Sequence, residues 1–428
     1  MNKLIEEIVN RATGPLSEWK AGLLLNKAGT PRPLLANAMT ALREAPEWKG
    51  VLGYDEFARE TVLRAHPPWG LKDDKPRAWT SHDDLLAAEW LQHADIAVTA
   101  PVAQQAVEAV SRDASFHPVR DYLDALKHDG QTRVGNWLSE YMGAVASSYH
   151  QEVGRAMLIG AVARIYDPGS KVDTVPIFEG VQGARKSTAV RTLFEPYFSD
   201  ELADLGSKDA AMQTRGVWGL EVSELDAMSR AEVSRIKSFI SRTTDRFRPP
   251  YGSRIIESPR SCVFWGTTNA AGYLKDETGG RRFLPIKTGL IRIGRLQQDR
   301  DKLWAEAVQL YRNGAAWWIS SRDIQRDAER QQRDRYVGDP WDGIIRRFIA
   351  TRDQVTITEI LQEALHMERG RWGQSEQSRI ARSLTAEGWF RKQVRAGDNR
   401  EWKYFRPVTN DEEAEQSSNV TPLKLVTS

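Results

Sequence analysis

The residues with the most evident chemical potential lie in Phe178-Glu-Gly180-Val-Gln-Gly183-Ala-Arg185-Lys186-Ser187-Thr188. An apolar run precedes this stretch and a helix-prone one follows, so it reads as strand, glycine-containing loop and helix. A phosphate-binding loop needs inward backbone N–H groups, a lysine reaching the β- and γ-phosphates, and an adjacent hydroxyl for Mg²⁺. Gly180, Lys186 and Ser187 hold that spacing, Gly183 lends the loop freedom, and Thr188 extends the polar run. The pattern G-x-x-x-x-G-K-[ST] calls for glycine where this chain has Arg185. A positive φ there would disfavour arginine by about 1–2 kcal/mol, whereas a guanidinium near phosphates is electrostatically favourable. The alternative is a glycine-rich turn before a helix with a chance Lys-Ser pair.

Three further stretches offer matching chemistry. Gly216-Val-Trp-Gly-Leu-Glu221-Val-Ser-Glu224-Leu-Asp226 ends an apolar run in carboxylates, which after a phosphate loop suit Mg²⁺ orientation and activation of an attacking water. Ser261-Cys-Val-Phe-Trp-Gly-Thr267-Thr268-Asn269 closes another apolar run in polar side chains, a strand tip able to set the Asn269 amide beside a γ-phosphate. Asn269 could equally cap a helix or serve a turn. Asp276-Glu-Thr-Gly279-Gly280-Arg281-Arg282-Phe283 is a glycine-hinged arginine pair, suited to reaching the charge on another subunit's nucleotide or, more plainly, forming a basic surface turn.

These residues need a scaffold. From about 170 to 290, short apolar runs (Val172 to Phe178, Gly216 to Val222, Ser261 to Trp265) alternate with helical stretches, which predicts βαβ units and a mainly parallel sheet. Residues 31–165 carry helical periodicity and predict an all-α domain behind a loosely attached arm at 1–30. Residues 166–335 form the expected core with its charged amphipathic helices, 340–407 a small mixed unit, and 408–428 a disordered tail. The fold class expected is multidomain α and α/β.

Composition narrows the function. The 428 residues suggest two to four domains. Sixty Lys+Arg against 58 Asp+Glu exclude a histone-like polycation, so nucleic-acid contacts must come from local clusters. The single cysteine, Cys262, excludes an internal disulfide framework and cysteine-rich zinc sites, and points to a reducing compartment, the cytoplasm by default. Inside an apolar run it reads as a small core residue. No apolar run approaches the roughly 18–20 residues that span a bilayer, so no membrane role is expected. Fifteen tryptophans suggest aromatic anchors in several subdomains.

With these motifs in this order, the chain resembles the virulence-associated E family, a branch of the superfamily 3 helicases found in prophages and other mobile elements. The resemblance rests on Phe116-His-Pro-Val-Arg-Asp-Tyr, Ala161-Val-Ala-Arg-Ile-Tyr-Asp-Pro-Gly-Ser-Lys, Glu179-Gly-Val-Gln-Gly-Ala-Arg-Lys-Ser, Glu221-Val-Ser-Glu-Leu-Asp, Asp245-Arg-Phe-Arg-Pro-Pro-Tyr-Gly, Gly266-Thr-Thr-Asn and Thr278-Gly-Gly-Arg-Arg-Phe, across about residues 30–290. It implies an AAA+-like P-loop ATPase core using ATP and Mg²⁺, a hexameric ring, and translocation on DNA in mobile-element replication. Lys186 and Ser187 then resemble the Walker A pair, Glu221 and Glu224 the Walker B acids, Asn269 the sensor, and Arg281 or Arg282 a finger supplied in trans. Ser187 and Glu221 would hold the metal. Arg185 departs from the usual loop, which keeps open a DNA-binding initiator or interference scaffold with a weakened loop. No acidic cluster suggests a primase, so a primase would be a separate partner.

Two segments read as DNA contacts. Ser241 to Ile256 is basic and aromatic with a Pro-Gly turn, in the place where superfamily 3 motors carry a hairpin into the ring channel. Arg246, Arg248, Tyr251 and Arg254 suit single-strand contacts by charge and stacking, although such arginines also serve ion pairs. Residues 340–407 follow the element order of a winged helix. Arg379 and Arg382 lie on its third helix and Arg395 and Arg400 on its wing, where they could read a duplex origin or face solvent beside a protein contact.

Overall fold

The structure is a computed structural model and describes residues 18–70, 75–201, 208–223, 228, 230–248, 254–274, 282–336, 339–396 and 399–407. Two compact units emerge, Met1–Ala271 with Arg281–Gln332 and Gly272–Gly280 with Arg333–Ser428. The expected tail at 408–428 and the first part of the arm lie outside the described residues.

The larger unit begins with a tryptophan-rich subdomain. Helices Leu35–Glu44, Ser81–His93 and Ala100–Ser111 bury Leu42, Trp48, Leu63, Leu91 and Val107 together. The expectation of an all-α domain over 31–165 is corrected here by a four-stranded sheet. Strands β1 (Leu52–Asp55), β2 (Glu60–Leu63), β3 (Arg77–Ala78) and β4 (Ser115–Phe116) lie in the order β3-β2-β1-β4. At two to four residues each, they are too short for a period-2 pattern to stand out against helical neighbours. Nor is the described part of the arm loose. Leu23 is buried, and the Asn37 side chain accepts from the Leu24 N–H (2.8 Å) and donates to the Leu24 and Arg32 carbonyls (2.9 Å each).

The second layer is a five-stranded parallel sheet. Strands β5 (Val175–Glu179), β6 (Phe198–Ser199), β7 (Gly219–Val222), β10 (Val263–Thr268) and β11 (Phe283–Lys287) pair in the order β11-β5-β10-β7-β6, all parallel. Their runs are almost wholly buried, as a sheet covered on both faces requires. Between β7 and β10 an antiparallel hairpin is formed by β8 (Thr244–Phe247) and β9 (Ile256–Pro259). Trp137, Phe178, Phe194, Trp218, Trp265 and Trp304 pack edge-on or tilted through the core with ring centroids 4.3–6.3 Å apart. Trp137 donates its indole N–H to the Gly154 carbonyl (2.9 Å), and a Cβ at Gly154 would meet that nitrogen at 2.8 Å. Cys262 is buried in this unit, as its apolar surroundings in sequence imply.

The long helix Ser148–Tyr166 is buried nearly all round. It and Val119, Leu123 and Trp137 join the same buried cluster as the sheet. The boundary expected at 165/166 therefore falls inside one continuous core, because the helices from 118 onward cover the sheet rather than the tryptophan-rich subdomain.

Helix Pro118–Ala125 is capped by His117, whose Nδ1 accepts the Arg120 N–H at 3.1 Å. Burial and the nearby Arg120 charge push the His117 pKa below its ordinary value. Protonation then favours the unfolded chain: the contribution is present above the unfolded value of about 6.5 and is lost as pH falls. His117→Asn keeps a capping acceptor and removes the titration. Its melting temperature is expected to fall less than the parent's between pH 7.5 and 5.5, by a few degrees in differential scanning fluorimetry.

The smaller unit packs helices Asp342–Ile349 and Gln374–Ala386 and the turn Ile357–Ala364 around Ile345, Ile360, Ile380, Leu384, Trp389 and Tyr404. Thr356 and Glu359 form a reciprocal capping box (2.7 and 3.1 Å). An antiparallel sheet, β12 (Gln354–Val355), β13 (Phe390–Ala396) and β14 (Asn399–Phe405) in the order β12-β14-β13, completes it. Tryptophans thus anchor each of three buried clusters.

Candidate functional site

Polar side chains converge at the carboxyl ends of β5, β7 and β10, where open α/β sheets bind ligands. After β5 the chain enters the loop 180–185 and then helix Lys186–Phe194. Gly180 is required by packing, since a Cβ there would sit 2.6 Å from Thr288 Oγ1. Gly183 takes φ +79 and Arg185 takes φ 67, ψ 28, the left-handed region. Arg185 therefore adopts the backbone that glycine usually supplies, with its side chain exposed.

Lys186 is buried, and its Nζ donates to the carbonyls of Gly180 (2.8 Å) and Val181 (3.0 Å) and to Asn269 Oδ1 (2.9 Å). Its ammonium thus lies under the loop, against the side chain that ends β10. Ser187 Oγ donates to Glu221 Oε1 at 2.6 Å, and Thr267 Oγ1 donates to the same oxygen at 2.6 Å. Glu221 is 1% exposed, and its Oε2 is buried without a hydrogen-bond partner. A buried carboxylate oxygen left without a donor needs an explanation. With the Ser187 hydroxyl, it makes an all-oxygen set of the kind Mg²⁺ takes with one carboxylate and substrate phosphates. Thr188 is exposed on the first helical turn.

Thr267 and Thr288 belong to this cluster but were missed as site residues from sequence. Thr288 donates its N–H and its Oγ1 to the Glu179 carbonyl at 2.8 Å each and walls Gly180 from one side. Thr267 lies two positions before Asn269 in a polar run, which is a usable signal; Thr288 carries none, because its role depends on β11 lying beside β5.

The other expected residues that the structure describes lie elsewhere. Glu224, Tyr251 and Arg281 lie outside the described residues. Arg282 is turned onto its own chain, with Nε donating to Ser241 Oγ (2.8 Å) and lying 3.9 Å from Asp173. On the hairpin, Arg246 pairs with Glu257 at 3.1 Å, both well exposed, and Arg248 and Arg254 are exposed. In the smaller unit Arg379 makes a bidentate pair with Asp339 (2.8 and 2.7 Å) and lies 3.5 Å over the Trp341 ring. Arg382, Arg395 and Arg400 are exposed.

Fold and site together define a mixed α/β protein with a polar cluster at the carboxyl ends of a parallel sheet. A profile of the virulence-associated protein E-like domain matches residues 123–337, half of the chain, and the chain belongs to that family. No curated protein matches it. Among solved structures it is similar to the apo C-terminal region (305–718) of NrS-1, at 12% identity and TM-score 0.45, covering 85% of this chain and 98% of that one. A further apo form of that region aligns at 11% identity and TM-score 0.44, covering 86% and 99%. Among the described residues no helix is long and apolar enough to cross a membrane.

Proposed function

We propose that this protein is an ATP-dependent DNA motor of the superfamily 3 helicase kind, working as a homo-hexameric ring in replication of a prophage or other mobile element. The observation that carries the proposal is the convergence of Lys186, Ser187, Glu221 and Asn269 on a glycine-containing loop between β5 and a helix.

On this reading the loop is a phosphate-binding P-loop of an AAA+-like core. Lys186 exchanges its two loop carbonyls for β- and γ-phosphate oxygens, and helix Lys186–Phe194 presents its N-terminus to the same charge. Ser187 and Glu221 would hold Mg²⁺, which supplies charge neutralisation at the phosphates. Thr267 fixes the Glu221 carboxylate by occupying one of its oxygens. Asn269, hydrogen-bonded to Lys186, would sense the γ-phosphate, and Glu224 would help activate water. Because Arg282 is engaged by Ser241 and Asp173, the proposal assigns the finger in trans to Arg281.

The hairpin β8–β9 is proposed as the single-strand contact, through Arg246, Arg248, Tyr251 and Arg254. The exposed Arg246–Glu257 pair costs little to break. The smaller unit is proposed to be a winged helix that contacts duplex DNA through Arg382, Arg395 and Arg400. Arg379 is held by Asp339 instead and serves the unit's packing. A primase would come from a separate protein. Steady-state ATP hydrolysis with and without single-stranded DNA tests the proposal. DNA-stimulated turnover is expected, and DNA binding with no turnover would overturn it.

A second reading, a DNA-binding scaffold with a weakened loop, is favoured by one observation, Arg185 at a position that strains it. The two readings part on Arg185→Gly. In the motor reading the loop already has its working backbone, so the variant's turnover stays within about threefold of the parent. Relief of about 1–2 kcal/mol of left-handed strain is partly offset by about 0.5–1 kcal/mol of glycine's added unfolded-state entropy. A tenfold or greater gain in hydrolysis would mark the scaffold.

A further inference from the structure

Away from the loop, two cavities of about 550 and 690 Å³ share Arg59 and Arg215 in their walls. The first is completed by Phe57 and Tyr197, the second by Tyr54, Arg112 and residues of β9. Each is large enough for a nucleotide-sized ligand.

Among the described residues, neither guanidinium has a carboxylate within ion-pair distance. Arg59 Nη1 reaches only the Glu257 carbonyl, at 3.4 Å, and Arg215 Nη2 donates to the Arg59 carbonyl at 2.7 Å. Arg215 Nε is buried without an acceptor. The acids nearby are mostly engaged: Asp55 Oδ1 accepts the Phe57 and Ala58 N–H groups (2.7 and 2.9 Å), Glu108 pairs with Arg112 (3.0 Å), and Glu257 pairs with Arg246 (3.1 Å). Glu56 and Glu60 are both exposed, Glu56 at the second cavity and Glu60 at the first, so Glu60 is the carboxylate that would compete for the arginines there. Burial and neighbouring Asp55 raise the Glu60 pKa, while burial and the Arg215 charge lower that of Arg59. The Arg59 direction is the one expected where two cations crowd each other.

The walls are also built to hold still. Arg59 sits at φ 57 in the turn between β1 and β2, and Gly216 at φ +68 donates its N–H to the Phe57 carbonyl (3.3 Å). A Cβ on Gly216 would come within 3.3 Å of Ala58, so this turn seats closely on the segment before β7. A preorganised pair of guanidiniums is a receptor for an oxyanion with fork geometry, which phosphate supplies.

We propose that Arg59 and Arg215 form a binding site for a phosphate group, carried either by a nucleic-acid strand or by a free nucleotide. Tyr54 and Tyr197 flank the organic part. Since Arg59 also touches β9 at Glu257, an occupied site contacts the hairpin. The inference does not rest on ATP hydrolysis at Lys186.

The test is calorimetric titration of the full chain carrying Lys186→Ala, which silences the loop near Ser187, with inorganic pyrophosphate and with a 15-nucleotide oligo-dT. Arg59→Ala and Arg215→Lys, each added to that parent, are expected to weaken binding of at least one probe about tenfold. Loss for both probes identifies a free-phosphate site, and loss for the oligonucleotide alone identifies a strand-backbone site. Glu60→Gln is expected to tighten the affected probe about threefold, a gain that misfolding cannot produce. Unchanged affinities for both probes in folded Arg59→Ala and Arg215→Lys would overturn the assignment. Where those variants fail to fold, absence of tightening in Glu60→Gln overturns it.

Discussion

Replacing Lys186 with alanine is expected, on the proposed motor function, to reduce ATP turnover by about 100- to 1,000-fold, the usual loss when one preorganised charge donor to a transferring phosphoryl group is removed. The argument is geometric. Nζ is delivered from the first residue of helix Lys186–Phe194 to a point shared by two loop carbonyls and the Asn269 amide. A neutral methyl there leaves nothing to meet phosphate charge at the centre of the cluster. The fold should survive, because Gly180 stays wedged against Thr288 and its N–H stays on the Thr268 carbonyl (3.3 Å). A coupled assay on parent and variant, each with a matching circular dichroism spectrum, decides the point. Turnover that is DNA-stimulated and unchanged in the variant would remove Lys186, and with it the P-loop proposal, from consideration.

The largest expected loss of stability comes from Asp245→Ala. Arg260 and Asp245 form a bidentate pair (2.9 and 2.6 Å) whose side chains are 0% and 2% exposed. The Arg260 guanidinium also donates to the Phe239 carbonyl at 2.5 Å and lies over the Phe239 and Phe264 rings. Its own carbonyl accepts from Gly169 (2.9 Å) and from buried Arg164 (3.1 Å). Burial already pushes Arg164 down to about 10, with Arg260 adding to the shift and Asp245 opposing it. Deleting Asp245 leaves two buried cations without their anion, which costs about 3–5 kcal/mol. The melting temperature is expected to drop by roughly 5–10 °C. The double variant Asp245→Leu/Arg260→Met removes both charges and should recover most of that loss. A double variant no more stable than Asp245→Ala would show that the cost is packing rather than unpaired charge. Because this pair clamps the base of β8–β9, Asp245→Ala also disturbs the hairpin proposed to contact single-stranded DNA.

Legibility in the sequence varied with the range of the interaction. The apolar runs beginning at Val172, Gly216 and Ser261 became β5, β7 and β10, and the order read for 340–407 is the order of elements found there. Each depends on residues a few positions apart. The tryptophan-rich subdomain was misread as all-helical because its strands are shorter than the window in which periodicity shows. The 165/166 boundary was misplaced because a helix buried nearly all round, such as Ser148–Tyr166, has no continuous polar face to reveal which core it joins. Arg379 looked like a base reader on an exposed helix, yet Asp339, forty positions earlier, neutralises it.

The sequence by itself determined the strand, loop and helix around Gly180–Ser187, the departure of Arg185 from the expected glycine, and the burial of Cys262. These are local properties, set by steric preference and by the company of neighbouring residues. Tertiary structure alone decided that Lys186 meets Asn269 across 83 positions and that Ser187 and Thr267 share one oxygen of Glu221, across 34 and 46. It alone decided which arginines are spent on partners and which remain exposed. The strand order β11-β5-β10-β7-β6 brings those distant residues to one edge, and no pattern within a single segment encodes which strand will be its neighbour.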